Sequence, residues 1–227
     1  MKNIILLHGA LGTKSDLLPL KNILSPHFQV HKFNFTGHGN NTSTRDFTIE
    51  KFTEDLAYYI NEHNIEKPSI FGYSMGGYVA LNYALTTKNE IDKIFTLGTK
   101  FKWDIEFATK QVKFLNPEKL LEKAPAFAAY LEAKHHPNSW QNVVTQTANM
   151  MKHLGYHPLL TETTLATIKT PTLIAIGEKD DMVTIEESKT VAQRLPNATF
   201  KIIDNTPHPI EKVNQVLIAN IITELLS

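Results

Sequence analysis

Cysteine is absent from the 227 residues. That excludes a disulfide framework, a thiolate nucleophile and any thiolate-ligated zinc or iron–sulfur site. A charge excess is absent too: Lys+Arg and Asp+Glu both number 23, so nothing marks a nucleic-acid footprint. No stretch approaches the roughly 20 apolar residues of a membrane span. Ile4-Ile5-Leu6-Leu7 is also too short for a signal-peptide core. No internal repeat, low-complexity tract or linker is found. These absences predict a cytoplasmic protein, monomer or homodimer, that engages a small molecule rather than nucleic acid or membrane. The length is ample to bury a core without staples.

What is present is an alternation of short apolar runs and amphipathic segments. Strands are predicted over Ile4–Leu7, Phe28–Phe35, Pro68–Tyr73, Ile91–Leu97, Thr172–Ile176 and Thr199–Ile203. Helices are predicted near Leu17–Leu24, Thr48–His63, Met75–Thr86, Thr184–Leu195 and Ile210–Leu226, with Thr184 and Glu187 forming a capping box. This rhythm predicts an α/β fold with a mostly parallel sheet of about six strands, flanked by helices. Residues 99–169 break it: they hold no convincing strand and read as helices punctuated by Pro117, Pro125, Pro137 and Pro158. The expected organisation is a core of 1–98 and 170–227 with 99–169 inserted as a helical cap.

The chain is organised around Gly72-Tyr73-Ser74-Met75-Gly76-Gly77. A strand running straight into a helix forces the intervening serine into a strained turn with its hydroxyl clear of the sheet. The helix that follows aims its amide groups and positive dipole end at the same place. Loops at the carboxyl ends of parallel strands collect functional groups. Here those loops carry His8-Gly9-Ala10-Leu11, Ser74, Asp180 or Asp181, and His208. A serine hydroxyl needs a histidine to take its proton, and the histidine needs an acid to fix its tautomer. The order Ser…Asp…His suits this architecture.

With His8-Gly9, Gly37-His38-Gly39, the serine motif, Gly177-Glu178-Lys179-Asp180 and His208 in place, nearly the whole chain resembles the α/β-hydrolase superfamily. Within it, the chain resembles specifically the compact members with a helical cap inserted after the strand that follows the serine motif. The resemblance implies that Ser74 is the nucleophile, His208 the general base and Asp180, three positions after Gly177, the acid that orients it. It implies an oxyanion hole from the backbone N–H groups of Met75 and of Ala10 or Leu11. Two departures stand out: prolines 207 and 209 flank His208, and the two extra N-terminal strands of many members are missing.

The function implied is a serine hydrolase acting on a small, partly apolar ester or thioester, without cofactor or metal. The alternatives are acyl transfer, carbon–carbon cleavage or elimination by the same triad, and a ligand receptor or signalling partner with little turnover. Trp103 and Met182 are candidate substrate contacts. The cap is rich in aromatic residues and methionine, expected both as its own core and as pocket lining. Its nine lysines against six acids would suit an anionic acyl carrier. His8 and His38 are expected to shape loops. His135, His136, His153 and His157 match no metal-ligand spacing and are expected to be solvated.

Overall fold

The computed structural model describes residues 1–43, 45–87 and 90–226. Six parallel strands form one sheet in the order β2-β1-β3-β4-β5-β6. They are β1 (Asn3–Leu7), β2 (Gln29–Lys32), β3 (Ser69–Tyr73), β4 (Ile94–Leu97), β5 (Thr172–Lys179) and β6 (Ala198–Pro207). The helices of the first half are α1 (Leu18–Leu24), α2 (Ile49–Glu62) and α3 (Met75–Thr86). Between β4 and β5 come α4 (Ile105–Val112), α5 (Pro117–Lys123), α6 (Pro125–His135), α7 (Trp140–Tyr156) and α8 (Glu162–Leu165). The chain closes with α9 (Ile185–Arg194) and α10 (Gln215–Leu226).

The inner strands are apolar at successive positions because both faces are covered. Ile5, Leu7, Ile70, Ile94 and Ile174 point to one side, into a core shared with Phe52, Leu56 and Ile60 of α2, Val79 of α3 and Val191 of α9. Ile4, Leu6, Phe71, Phe95 and Leu173 point to the other, against Leu20 and Leu24 of α1 and Ile218 and Ile222 of α10. α3 is buried from Met75 through Tyr83, which explains why its sequence lacks a polar face.

Two of the five helices between β4 and β5 begin at the prolines expected to punctuate this segment. Pro117 and Pro125 each occupy the first turn of a helix, and Asn116 accepts from Lys119 N–H at 2.8 Å. Ala128, Leu131, Trp140 and Val144 form a small apolar cluster of their own. Phe101 and Met150 are buried, whereas Phe114, Phe127, Tyr130 and Tyr156 face solvent.

Several predicted bounds shift. β2 stops at Lys32 rather than Phe35, because it is an edge strand paired only with β1, and Phe33 and Phe35 turn into an aromatic cluster. β6 continues to Pro207 after an irregularity in its pairing with β5 between Gly177 and Lys179. The last helix starts at Gln215, not Ile210: a 3-10 turn covers Ile210–Lys212, and Asn214 Oδ1 accepts from the Val216 and Leu217 N–H groups, each at 3.1 Å. Only half of the predicted capping box forms. Thr184 caps Glu187 N–H at 3.2 Å, but the Glu187 carboxylate reaches instead to Lys100 and to the Phe101 and Lys102 N–H groups, both at 2.7 Å. It thereby ties the start of the inserted segment to α9.

Candidate active site

Ser74 is the single residue between β3 and α3, held at φ 52° and ψ −119°. A residue with a side chain stays there only when its surroundings over-determine it. They do. Ser74 N–H donates to the Leu97 carbonyl at 2.9 Å, and the Ser74 carbonyl accepts from Gly77 N–H at 3.0 Å and the Thr99 hydroxyl at 2.9 Å. On the strand side, a β-carbon at position 72 would stand 2.4 Å from Gly77 N, so only glycine lets the helix start this close.

Asp180 lies in the turn after β5 with its side chain 1% exposed. Oδ1 accepts from the Met182 and Val183 N–H groups, both at 2.9 Å. Oδ2 accepts from His208 Nδ1–H at 2.8 Å. Asp180, rather than its neighbour Asp181, is thus the acid against His208. With Nδ1 donating, the lone pair of the neutral ring sits on Nε2. The loop carrying His208 is held by the Tyr73 hydroxyl, which donates to the His208 carbonyl at 2.8 Å. Burial raises the Tyr73 phenol above its ordinary range, so it remains a donor.

Tyr73 also joins this pair to Ser74, the next residue. Gly98, just after β4, leaves room for this pair: a β-carbon there would stand 3.0 Å from Asp180 Oδ2. Among the described residues no hydrogen bond joins Ser74 Oγ to His208 Nε2, a contact that tightens in many enzymes only when substrate is bound.

The loop after β1 flanks the serine. A β-carbon on Gly9 would come 3.2 Å from Ser74 Cβ. Gly12 N–H closes the turn onto the Gly9 carbonyl at 3.1 Å, and Leu11 is left-handed with φ 56°. Ala10 and Leu11 therefore lie beside the elbow. Met75 N–H belongs to the first turn of α3, whose amides have no intrahelical acceptor. Trp103 is half-buried, with its indole N–H donating to the Lys100 carbonyl at 3.2 Å. Met182 is 50% exposed in the turn that cradles Asp180.

Three imidazoles pack behind the loop. His8 Nδ1–H donates to the Gly9 carbonyl at 2.9 Å, and Nε2 accepts from Phe35 N–H at 3.2 Å. Burial lowers its pKa to about 4. His38 Nδ1–H donates to the Thr36 carbonyl at 3.0 Å, and burial holds this ring well below the ordinary histidine range. The third is His135, and it overturns the expectation of solvated histidines in residues 99–169. It is fully buried, against His38 at 5.7 Å between ring centroids, because the end of α6 docks onto these loops. His136, His153 and His157 are exposed. Among the described residues no group of three or more His, Asp or Glu is placed to hold a metal ion.

Sequence alone does not mark Tyr73, Thr99 or His135 as site residues. Tyr73 and Thr99 adjoin the motif and the strand end, which is the signal that could have found them. His135 offers none, since its partners lie 96 and 124 residues away.

Comparison with known proteins fits this geometry. A family model for the alpha/beta hydrolase fold matches residues 2–128. The 3-oxoadipate enol-lactonase 1 of Acinetobacter baylyi is 25% identical over 217 residues, 88% of this chain and 80% of that protein. Ethanol acetyltransferase 1 of Hanseniaspora uvarum is 32% identical over 82 residues, 34% of this chain and 24% of that protein. The structure of a thermophilic esterase from Thermogutta terrifontis superposes with a TM-score of 0.80 at 21% identity, covering 100% of this chain and 90% of the other. Among the described residues no helix is long and apolar enough to cross a membrane. With the parallel sheet, the strained serine between strand and helix, and a family model spanning more than half its length, the chain belongs to the α/β-hydrolase fold family.

Proposed function

We propose that the protein is a serine hydrolase that cleaves a small, partly apolar ester or thioester through an acyl-enzyme on Ser74. The observation that carries this reading is the buried Asp180–His208 pair, 2.8 Å apart, in the tautomer that leaves Nε2 free to take a proton. Ser74 Oγ attacks the acyl carbon as His208 Nε2 accepts its proton. The carbonyl oxygen becomes an oxyanion facing the N–H of Met75 and that of Ala10 or Leu11. His208 then gives the proton to the departing alcohol or thiol, and the acyl–Ser74 ester remains. Water attacks that ester, His208 takes its proton, and the carboxylic acid leaves as Ser74 is reprotonated. The segment 99–169 acts as a cap, and Trp103 from it, with Met182 from the turn after β5, is the first candidate for substrate contact.

The test is labelling with a fluorophosphonate probe, followed by a chain-length series of p-nitrophenyl esters. Wild type is expected to label, and Ser74→Ala to lose the label and roughly 10⁴-fold or more in kcat. An active Ser74→Ala protein would sink the mechanism. The partial identity to an acetyltransferase favours one second reading, transfer of the acyl group to an alcohol instead of water. Adding ethanol to the assay and measuring ester against acid in the products separates the two.

A further inference from the structure

The last turn of α6 grips the loop that follows β1. Both ring nitrogens of the fully buried His135 are committed: Nδ1 accepts from Gly39 N–H at 3.1 Å, so Nε2 carries the proton and donates to the Leu11 carbonyl at 3.0 Å. Its neighbour Lys134 pairs with Asp16 Oδ1 at 2.7 Å, and Asp16 Oδ2 accepts from Thr13 N–H at 2.8 Å. The Leu11 side chain packs against the cluster of Ala128, Leu131, Trp140 and Val144. Leu11 is thus held from the inserted helices by its carbonyl and by its side chain. It needs to be, since a φ of 56° is strained for a residue with a β-carbon.

We propose that His135 is a positioning residue for the oxyanion loop: its Nε2–H fixes the Leu11 carbonyl and so aims the Ala10 and Leu11 amides at the substrate oxygen. The inference rests on the serine-hydrolase reading above, because it concerns the donors that reading invokes. A donor on the Leu11 carbonyl fixes the Leu11–Gly12 peptide plane. The N–H of that same peptide, on Gly12, donates to the Gly9 carbonyl and so ties the plane to the Gly9–Ala10 peptide at the other end of the turn. Between these two anchors the Ala10–Leu11 peptide has one orientation as long as Leu11 stays left-handed. When the donor on its carbonyl is lost, Leu11 can relax to negative φ, and the amides rotate away from Ser74. The oxyanion loop is then competent only with α6 docked.

Two substitutions separate this role from simple docking of α6. His135→Gln places an N–H donor within reach of the Leu11 carbonyl and gives up the acceptor for Gly39 N–H. His135→Asn places a carbonyl near Gly39 N–H and gives up the donor to Leu11. Three quantities are read for each variant: fluorophosphonate labelling rate, kcat and KM on a short p-nitrophenyl ester, and hydrogen exchange of the amides of residues 9–13. His135→Asn is expected to lose about 10- to 100-fold in kcat and labelling rate with KM within about 3-fold, a share of the roughly 10²–10³ lost when an oxyanion donor is removed. Its 9–13 amides exchange faster. His135→Gln retains kcat within about 5-fold and keeps those amides protected.

Equal behaviour of the two variants overturns the proposal, as does wild-type kcat in His135→Asn. Unfolding of both also overturns it, since the role is then structural. If the wild-type protein neither labels nor turns over esters, the serine-hydrolase reading has failed. Exchange then decides alone: a loop protected in His135→Gln and opened in His135→Asn supports the positioning role, and equal exchange refutes it.

Discussion

Replacing Asp180 by asparagine tests the chemistry with little disturbance of the fold. The side chain is 1% exposed, and its two oxygens have separate duties. Oδ1 accepts from the Met182 and Val183 amides, and an asparagine carbonyl does this equally well, so the turn survives. Oδ2 accepts from His208 Nδ1–H at 2.8 Å, and there asparagine presents an N–H. Two donors cannot face each other, so His208 moves its proton to Nε2, the atom that has to receive the Ser74 proton. The base is then in the wrong tautomer. Loss of the correct tautomer is worth roughly 10⁴-fold in kcat, or about 5.5 kcal/mol of barrier.

The assay is steady-state hydrolysis of a p-nitrophenyl ester, with urea unfolding of the same samples. Asp180→Asn should lose on the order of 10⁴ in kcat while its unfolding free energy changes by less than about 1 kcal/mol. Asp181→Asn, one residue along, should stay within about 2-fold of wild type. A kcat for Asp180→Asn above about a tenth of wild type refutes the reasoning, and so does an equal loss in Asp181→Asn.

The buried imidazoles set the acid limit of stability. His8 and its neighbours are neutral in the fold because burial lowers their pKa, whereas an unfolded histidine titrates near its ordinary value of 6.5. Their stabilisation is therefore present above pH 6.5 and is lost as pH falls through the folded pKa, about 4 for His8. His8 alone should remove about 3 kcal/mol between pH 7 and pH 4, which urea titrations at stepped pH will read; a flat profile across that window would rule this out. Tyr78→Phe removes the hydroxyl that accepts from Leu159 N–H at 3.1 Å and Leu160 N–H at 3.0 Å. It should cost about 1–3 kcal/mol, and a midpoint equal to wild type would show that those amides find other partners. Gly72→Ala drives a β-carbon to 2.4 Å from Gly77 N, a backbone atom that cannot yield without moving the elbow. A loss of about 3 kcal/mol or more, or no soluble protein, is expected; a folded variant of normal stability would mean the elbow is looser than its contacts imply.

The parts of the fold legible in the sequence are those where local chemistry and tertiary packing agree. α3 runs from Met75 to Thr86 as its sequence predicts, because a strand, a glycine-flanked turn and an apolar helix follow one another without ambiguity. The inner strands are legible because burial on both faces leaves continuous apolar runs. The ends of β6 and the start of α10 are not. Asp204, Asn205 and Thr206 carry no alternation, and they remain in the strand only because its pairing with β5 resumes beyond an irregularity. The apolar pattern from Ile210 onward reads as continuous helix, and Asn214 is the one local sign that the helix starts later.

The candidate site divides along the same line. Ser74, Asp180 and His208 stand at strand ends, where the α/β architecture puts functional groups, so chain order alone brings them together. His135 stands in the inserted helices, whose sequence resembles any surface helix: charged, lysine-rich, with a histidine pair at its end. Nothing local separates His135, fully buried, from His136, which is exposed, because the difference is one residue of helix phase against loops almost 100 positions away. The residues proposed to do the chemistry stand at strand ends, which sheets of this kind expose in the same place. The residue proposed to position the loop after β1 depends on how α6 docks, so its contact with the Leu11 carbonyl becomes visible only once α6 is placed. A search of related chains for the same function should therefore look for any donor, on any inserted helix, that meets the carbonyl of the left-handed residue after the β1 His-Gly pair.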